Sequence, residues 1–117
     1  MSILIVEDDD DLRDLIKTML ELEGFHVRTA EHGREALELV GEGMPDLILL
    51  DFKMPVMDGR SFAVEFRARH GGGAPIVVMT AAEHAASRAQ EIGAMGWISK
   101  PFSYDELVKT VRSHLCV

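Results

Sequence analysis

The chain has 117 residues, of which 47% are hydrophobic and 27% charged, so it can fold as one compact domain and is not expected to be disordered. Its net charge of −8 has the wrong sign for direct binding to nucleic acid phosphates. No apolar run approaches the ~20 residues that a membrane helix needs, and the only cysteine, Cys116, can form neither an internal disulfide nor a multi-cysteine metal site. We therefore expect a cytoplasmic protein without a membrane partner.

Five short apolar segments are typical of β-strands. Residues 3–6, 47–50 and 76–79 are unbroken apolar runs, as in strands of a parallel sheet that are buried on both faces. Residues 25–29 alternate between apolar and polar, as an edge strand does, and residues 97–99 are a shorter run.

Segments with helical spacing lie between and after these strands. The apolar positions of the five predicted helices span residues 12–20, 36–40, 62–66, 85–92 and 107–115. Glycines are expected to end the first four helices, at Gly24, at Gly41 and Gly43, at Gly71 and at Gly93. A capping box of Ser103 and Glu106 begins the fifth. Strict alternation of strands and helices predicts an α/β fold, in which helices cover both faces of a parallel sheet. The five units fill residues 1–117 as a single domain.

Polar residues follow four of the predicted strands. Glu7 and Asp8 come after the first strand, Asp51 after the third, Thr80 after the fourth and Lys100 after the fifth. Ligands of open α/β sheets bind at the carboxyl ends of the strands, so these side chains should converge. Clustered carboxylates repel one another unless a cation neutralises them, and oxygen ligands select a hard ion such as Mg²⁺. A carboxylate beside such an ion is a competent nucleophile toward a phosphoryl group.

These motifs resemble those of the response-regulator receiver domains of two-component signalling, along the whole chain. The resemblance is carried by residues 3–8 with Arg13 five residues on, residues 51–59, Thr80-Ala81, and residues 100–102. It implies a flavodoxin-like, doubly wound fold with five helices around a five-stranded parallel sheet in the order 2-1-3-4-5.

The resemblance also assigns roles in phosphoryl transfer. It makes Asp51 the phosphoacceptor, which takes a phosphoryl group from a histidine kinase or a phosphotransfer protein. Thr80 and Lys100 would contact the phosphoryl oxygens, and a cis bond before Pro101 would direct Lys100 into the site. Such a domain is not an enzyme, although it assists its own phosphorylation and slow dephosphorylation.

A metal site is implied by the same resemblance. Asp8 and Asp51 would bind Mg²⁺ or Mn²⁺ through their carboxylates, Lys53 through its backbone carbonyl, and Glu7 directly or through water. Lys53 also occupies a position that helps to control the access of hydrolytic water, so we expect its side chain to shield the phosphoryl group.

The predicted output is a change of surface. In the family an aromatic residue on the fifth strand moves when the hydroxyl residue moves, and Trp97 stands at that position, where Tyr or Phe is usual. An edge-strand aromatic without a switching role is the alternative. The face around the fourth and fifth strands and helices would then control a protein partner that the sequence does not identify, and a phosphorylation-dependent homodimer is left open.

Several alternatives remain open. Asp58 is expected to cap the third helix and not to bind metal, and no histidine is expected beside the site. A receiver that binds partners without phosphorylation is one alternative function. Another is a haloacid-dehalogenase-like phosphatase with its nucleophile in 8–10, which needs a late acidic pair and for which only Asp105 and Glu106 remain. A stand-alone switch is expected because the chain ends soon after the last helix, but the residues do not distinguish it from part of a longer regulator.

Overall fold

The computed structural model describes residues 1–115, so Cys116 lies outside the described residues. Five strands alternate with five helices, as the sequence predicts. In chain order they are β1 (Ser2–Val6), α1 (Asp10–Leu22), β2 (His26–Ala30), α2 (Gly33–Glu42), β3 (Leu47–Asp51), α3 (Gly59–His70), β4 (Ile76–Ala81), α4 (Ala85–Ile92), β5 (Gly96–Lys100) and α5 (Tyr104–His114), with a 3₁₀ turn at Ala82–His84. No helix among residues 1–115 is both long enough and apolar enough to cross a membrane.

The strands form one parallel sheet in the order β2-β1-β3-β4-β5. This confirms the fold class that the sequence predicts and the strand order that the family resemblance implies. The chain reverses its direction of winding at β1, so the carboxyl ends of β1 and β3 lie side by side. In sheets of this kind that position forms a crevice in which ligands bind.

Two apolar layers cover the sheet. One face carries Leu4, Ile48 and Val78 against α2, α3 and α4, and the other carries Ile5, Leu49 and Val77 against α1 and α5. The alternation follows from the pleat of a strand, which directs successive side chains to opposite faces. Strands buried on both faces must be apolar throughout, which explains the unbroken runs in the sequence.

Several boundaries differ from the predicted ones. Helix α2 continues through Gly41 and ends at Glu42, and Gly43, the second of the two predicted end residues, supplies the cap. Strand β2 begins at His26, while Phe25 packs between α1 and α5 as part of the core. The predicted strand 97–99 is extended at both ends, to Gly96 and Lys100.

The polar residues predicted to follow β3, β4 and β5 belong to the strands themselves. Asp51 is paired with Met79, Thr80 with Ser99, and Ala81 with Lys100. Backbone pairing does not require apolar side chains, so the ladder continues past the end of each apolar run. The polar side chains are therefore held by the sheet and not by a loop.

Candidate functional site

An open pocket of about 490 Å³ lies at the carboxyl edge of the sheet. It is lined by residues that follow or end β1, β3, β4 and β5, together with residues of the segment between β4 and α4. The predicted site residues all contribute to this lining: Glu7, Asp8, Asp51, Lys53, Thr80 and Lys100. Four separate strand ends thus bring together residues that are up to 93 positions apart in the chain.

Three carboxylates form the acidic centre of the pocket. One oxygen from each of Glu7, Asp8 and Asp51 lies within 4.8 Å of the other two. Glu7 is 1% exposed and Asp51 7% exposed, whereas Asp8 is exposed to solvent. Two nearly buried carboxylates beside a third create repulsion that water cannot screen fully.

Lys100 partly neutralises this charge. Its Nζ donates to Glu7 Oε1 at 2.7 Å and to Asp51 Oδ1 at 3.2 Å. Burial opposes the charged ammonium, but the hydrogen bond to Glu7 and the charges of Asp51 and Glu7 prevail and raise the pKa of Lys100 above its ordinary value. The peptide bond from Lys100 to Pro101 is cis.

The negative charge of Asp51 is only partly neutralised by its ion pair with Lys100. Burial, followed by the negative charge of Glu7, raises the pKa of Asp51 to about 7, while Lys100 acts in the opposite direction. One cation shared between two carboxylates leaves one negative charge, and Asp8 adds another. The three carboxylates therefore repel one another, and an added cation would relieve this repulsion.

The loop after Asp51 is held close to the acceptor. Gly59 opens α3, and a Cβ atom at this position would lie 2.7 Å from the carbonyl oxygen of Asp51, so only glycine allows this approach. The backbone N–H of Gly59 donates to the carbonyl of Phe52 at 2.9 Å. Asp58 accepts from the N–H of Ser61 at 2.8 Å, so it caps α3 as the sequence predicts.

Thr80 and Lys53 line the same pocket as the three carboxylates. Thr80, 7% exposed, is held by the β4 ladder. Lys53 lies in the loop after β3, and its side chain is exposed at the pocket. Thr80 therefore supplies a nearly buried hydroxyl to the pocket, and Lys53 an exposed ammonium.

Two basic residues that the sequence pattern does not predict also line the pocket. His84 and Arg88, from the 3₁₀ turn and from α4, line it too. The expectation that no histidine lies beside the site was wrong, because the turn after β4 folds back over the pocket. A signal for Arg88 exists in the sequence: Ala85, Arg88, Ala89 and Ile92 follow the helical spacing of one face, and the other three are buried.

Trp97 lies apart from the pocket. It is the second residue of the edge strand β5, and 48% of its surface is exposed. Exposed Met95 precedes it by two residues.

This set of groups suits phosphoryl transfer to a carboxylate. The carboxylate of Asp51 could act as a nucleophile, and an ammonium 3.2 Å from it and a nearby hydroxyl are groups that can stabilise a transferring phosphoryl group. The late acidic pair that a haloacid-dehalogenase-like phosphatase needs is engaged elsewhere. Glu106 accepts from the N–H of Ser103 in the capping box of α5, and Asp105 is an exposed residue of the same helical turn.

Comparison with known proteins gives concordant results. The family model described as "Response regulator receiver domain" matches residues 3–112. The chain is 42% identical over 115 residues to the regulatory protein AtoC of Escherichia coli, covering 97% of this chain and 25% of that protein. It is 36% identical over 117 residues to the response regulator MprA of Mycolicibacterium vanbaalenii, covering 98% of this chain and 50% of that protein. The chain thus spans half or less of the length of these curated relatives.

Solved structures agree with the sequence relatives. The chemotaxis protein CheY4 of Vibrio cholerae superposes with a TM-score of 0.87 at 33% identity, covering 97% of this chain and 98% of that chain. The receiver domain of NtrX from Brucella abortus gives a TM-score of 0.86 at 32% identity, covering 97% of both chains.

Proposed function

The chain belongs to the response regulator receiver domain family of two-component signalling, and we propose that Asp51 is its phosphoacceptor. The observation that carries this proposal is the position of Asp51: its carboxylate is nearly buried, lies among two other carboxylates and contacts Lys100 at 3.2 Å. The donor is the phosphohistidine of a histidine kinase or of a phosphotransfer protein. On this proposal, residues 1–117 form one receiver domain.

The transfer is a displacement at phosphorus. A carboxylate oxygen of Asp51 forms the new P–O bond while the P–N bond of the phosphohistidine breaks. The imidazole leaves with the electron pair of that bond and takes up a proton. Lys100 and Thr80 stabilise the negative charge on the transferring oxygens, as ammonium and hydroxyl groups do at such sites.

The acidic pocket fits a divalent cation. Three oxygens from Glu7, Asp8 and Asp51 within 4.8 Å of one another form a donor set for a hard ion. Burial, followed by the charge of Glu7, raises the pKa of Asp51 to about 7, and a bound cation would oppose both effects. We propose that these three carboxylates and the backbone carbonyl of Lys53 hold Mg²⁺ or Mn²⁺. When bound there, such an ion would supply positive charge that stabilises the transferring phosphoryl group.

Phosphorylation then changes the surface of the domain. The phosphoryl group adds negative charge and acceptor oxygens next to Thr80 and Lys100, which draws the end of β4 and its following turn toward Asp51. Trp97 lies on β5 in parallel register with Val78 of β4, so a shift of β4 reaches it through the sheet. The half-exposed indole changes position, and the face around β4, α4, β5 and α5 alters its affinity for a protein partner or for a second copy of the chain.

The direct test is the intact mass of the protein after incubation with acetyl phosphate and Mg²⁺. The wild type should gain one phosphoryl group that is stable in acid, labile to hydroxylamine and dependent on Mg²⁺. Asp51→Asn should gain none. Asp58→Asn is the matched control, because Asn caps a helix as well as Asp, so this variant should react like the wild type.

Two results would contradict the proposal. A folded wild type that binds Mg²⁺ but gains no phosphoryl group, from acetyl phosphate or from a panel of histidine kinases, would favour a receiver that binds partners without phosphorylation. A phosphoryl adduct that still forms in Asp51→Asn would show that another residue is the acceptor.

A further inference from the structure

Arg88 presents an unmatched positive charge at the edge of the pocket. Among the side chains of residues 1–115, its Nη1 is a buried nitrogen atom without a hydrogen-bond partner. Nearly all buried polar groups in proteins have a partner, and a charged donor without one is especially unfavourable. The residue also lines the pocket that holds Asp51. Arg88 as a whole is half-buried, but its buried, unpartnered Nη1 at this pocket would be satisfied by an anionic acceptor.

The position of Arg88 is fixed by the residue that follows the acceptor. Its guanidinium carbon lies 4.1 Å from the centroid of the Phe52 ring, over the ring. A guanidinium over an aromatic ring is attracted through its planar face, and its N–H donors lie in the plane of the group. The contact with Phe52 therefore ties Arg88 to the segment that carries Asp51 and leaves N–H donors for another group.

The acidic residues of the pocket do not supply that acceptor in the unphosphorylated protein. Glu7 and Asp51 both accept from Lys100, and the nearer of these contacts, 2.7 Å, is to Glu7. Glu83 is exposed and its carboxylate lies 3.6 Å from the ring of His84. Phosphorylation of Asp51 replaces one negative charge by about two and adds oxygens that extend outward from the carboxylate.

We propose that Arg88 is a second cationic ligand of the phosphoryl group on Asp51, in addition to Lys100. This inference rests on the proposed function and deepens it. The ligand class is a tetrahedral dianion bonded to the Asp51 carboxylate, and the in-plane N–H donors of Arg88 bind its oxygens. Because α4 carries Arg88, the same contact draws α4 toward the phosphorylated site.

The test compares the binding of beryllofluoride, a phosphoryl mimic, by calorimetry at saturating Mg²⁺. Arg88→Met removes the charge but keeps an apolar chain of similar length over Phe52, and its affinity for beryllofluoride should fall about tenfold. Arg88→Lys should lose less, about threefold, because it keeps the charge but not the planar fork. The affinity of both variants for Mg²⁺ alone should equal that of the wild type.

Two control variants separate this role from packing and from net charge. Phe52→Leu removes the ring but keeps Arg88, and its loss of affinity should be less than that of Arg88→Met. Arg69→Met removes a positive charge from the far end of α3, where Arg69 pairs with Glu65, and should bind beryllofluoride like the wild type. Melting temperatures of all variants establish that each is folded.

Each result separates the two proposals. If the wild type neither gains a phosphoryl group nor binds beryllofluoride, the proposed function fails. If the wild type does both and Arg88→Met binds as tightly, Arg88 is not a phosphoryl ligand and the inference is overturned. Equal losses in Phe52→Leu and Arg88→Met, or an equal loss of Mg²⁺ affinity, would make Arg88 a packing residue and overturn it as well.

Discussion

The interior of the sheet and its carboxyl edge differ in the side chains that they bury: apolar ones in the interior and charged ones at the edge. In the interior, side chains such as Leu49 and Val78 are fully buried and apolar, and each contributes to stability without regard to pH or ions. At the edge, the same strands end in Asp51, Thr80 and Lys100, and one lysine is shared by two nearly buried carboxylates. Residues a few positions apart thus form an apolar core in one place and a charged pocket in the other.

The largest change in the free energy of unfolding should come from a substitution in the interior. Phe62 of α3 is fully buried and stacks on Phe66 with ring centroids 5.6 Å apart, so Phe62→Ala should lower the free energy of unfolding by about 4 kcal/mol. Urea denaturation would measure it, and the loss should be the same with and without Mg²⁺. Val64→Ala, on the exposed side of the same helix, should change stability by less than about 0.5 kcal/mol. A loss that Mg²⁺ reverses would show that the interior and the edge are not separate.

The next effect should come from the edge and should depend on the ion. Lys100→Met leaves Glu7, 1% exposed, without its cation, and should lower the free energy of unfolding by about 3 kcal/mol at neutral pH. Mg²⁺ should restore part of this loss, because it supplies positive charge to the same carboxylates. Lys109→Met on α5 is the exposed control and should have little effect in either condition. Equal losses with and without Mg²⁺ would argue against a metal site at these carboxylates.

Asp51→Asn should raise the free energy of unfolding, whereas the two preceding variants lower it, and the size of this gain should depend on pH. Burial, followed by the charge of Glu7, raises the pKa of Asp51 to about 7 in the folded protein. A raised pKa means that the protonated carboxyl favours folding below the ordinary value near 4, and that this contribution is lost as pH rises through about 7. A rise of this size, in which the attraction to Lys100 is already included, corresponds to about 4 kcal/mol. We expect about half of that value, because solvent in the open pocket screens the charges.

Denaturation of the metal-free proteins between pH 4 and pH 8 would test this. The stability of Asp51→Asn relative to the wild type should increase with pH and reach about 2 kcal/mol at pH 8. Asp58→Asn, which changes an exposed cap, should show no such trend. A constant difference across this range would mean that Asp51 is charged throughout and that the edge is not destabilised.

A smaller effect is expected at the rim of the pocket. Lys53 is exposed there, so Lys53→Ala should leave stability unchanged but shorten the half-life of the phosphorylated protein about two- to fivefold, the size of an exposed ion pair. The decay of the phosphoryl adduct would be followed by intact mass, with Lys109→Ala as the control. Equal half-lives of the phosphorylated wild type and Lys53→Ala would show that the Lys53 side chain does not affect hydrolysis.

The smallest effect is a change of signal without a change of stability. Trp97 is the only tryptophan, so the intrinsic fluorescence excited at the indole band reports on it alone. Its emission should shift when beryllofluoride and Mg²⁺ bind, because the half-exposed indole changes its contact with water. An unchanged spectrum, with binding demonstrated by calorimetry, would leave Trp97 as an edge-strand aromatic without a switching role.

The sequence predicts most of the fold because its signals are local. The unbroken run at 47–50 predicts a buried strand, and the capping box of Ser103 and Glu106 predicts the start of α5; the structure has both. Of the two glycines predicted to end α2, Gly43 is the cap and Gly41 lies inside the helix, because a single glycine costs a helix only about 1 kcal/mol.

The site is only partly predictable for the same reason. Carboxyl ends of neighbouring strands must converge, so the sequence pattern is sufficient to place Asp51 and Lys100 together. It is not sufficient for Arg88, because the role of this residue depends on how α4 packs against Phe52, and that contact is tertiary. Its helical spacing from Ala85 and Ile92 marks a buried face, but not what the face meets.

The most direct test of the central claim is to identify which carboxylate carries the phosphoryl group. Glu7, Asp8 and Asp51 present oxygens within 4.8 Å of one another, so proximity alone does not choose among them. Borohydride reduces an acyl phosphate to an alcohol, which fragment masses can assign to one residue. Reduction at Asp51 alone is the predicted result. Reduction at Asp8 or Glu7, with Asp51 unmodified, would contradict the account.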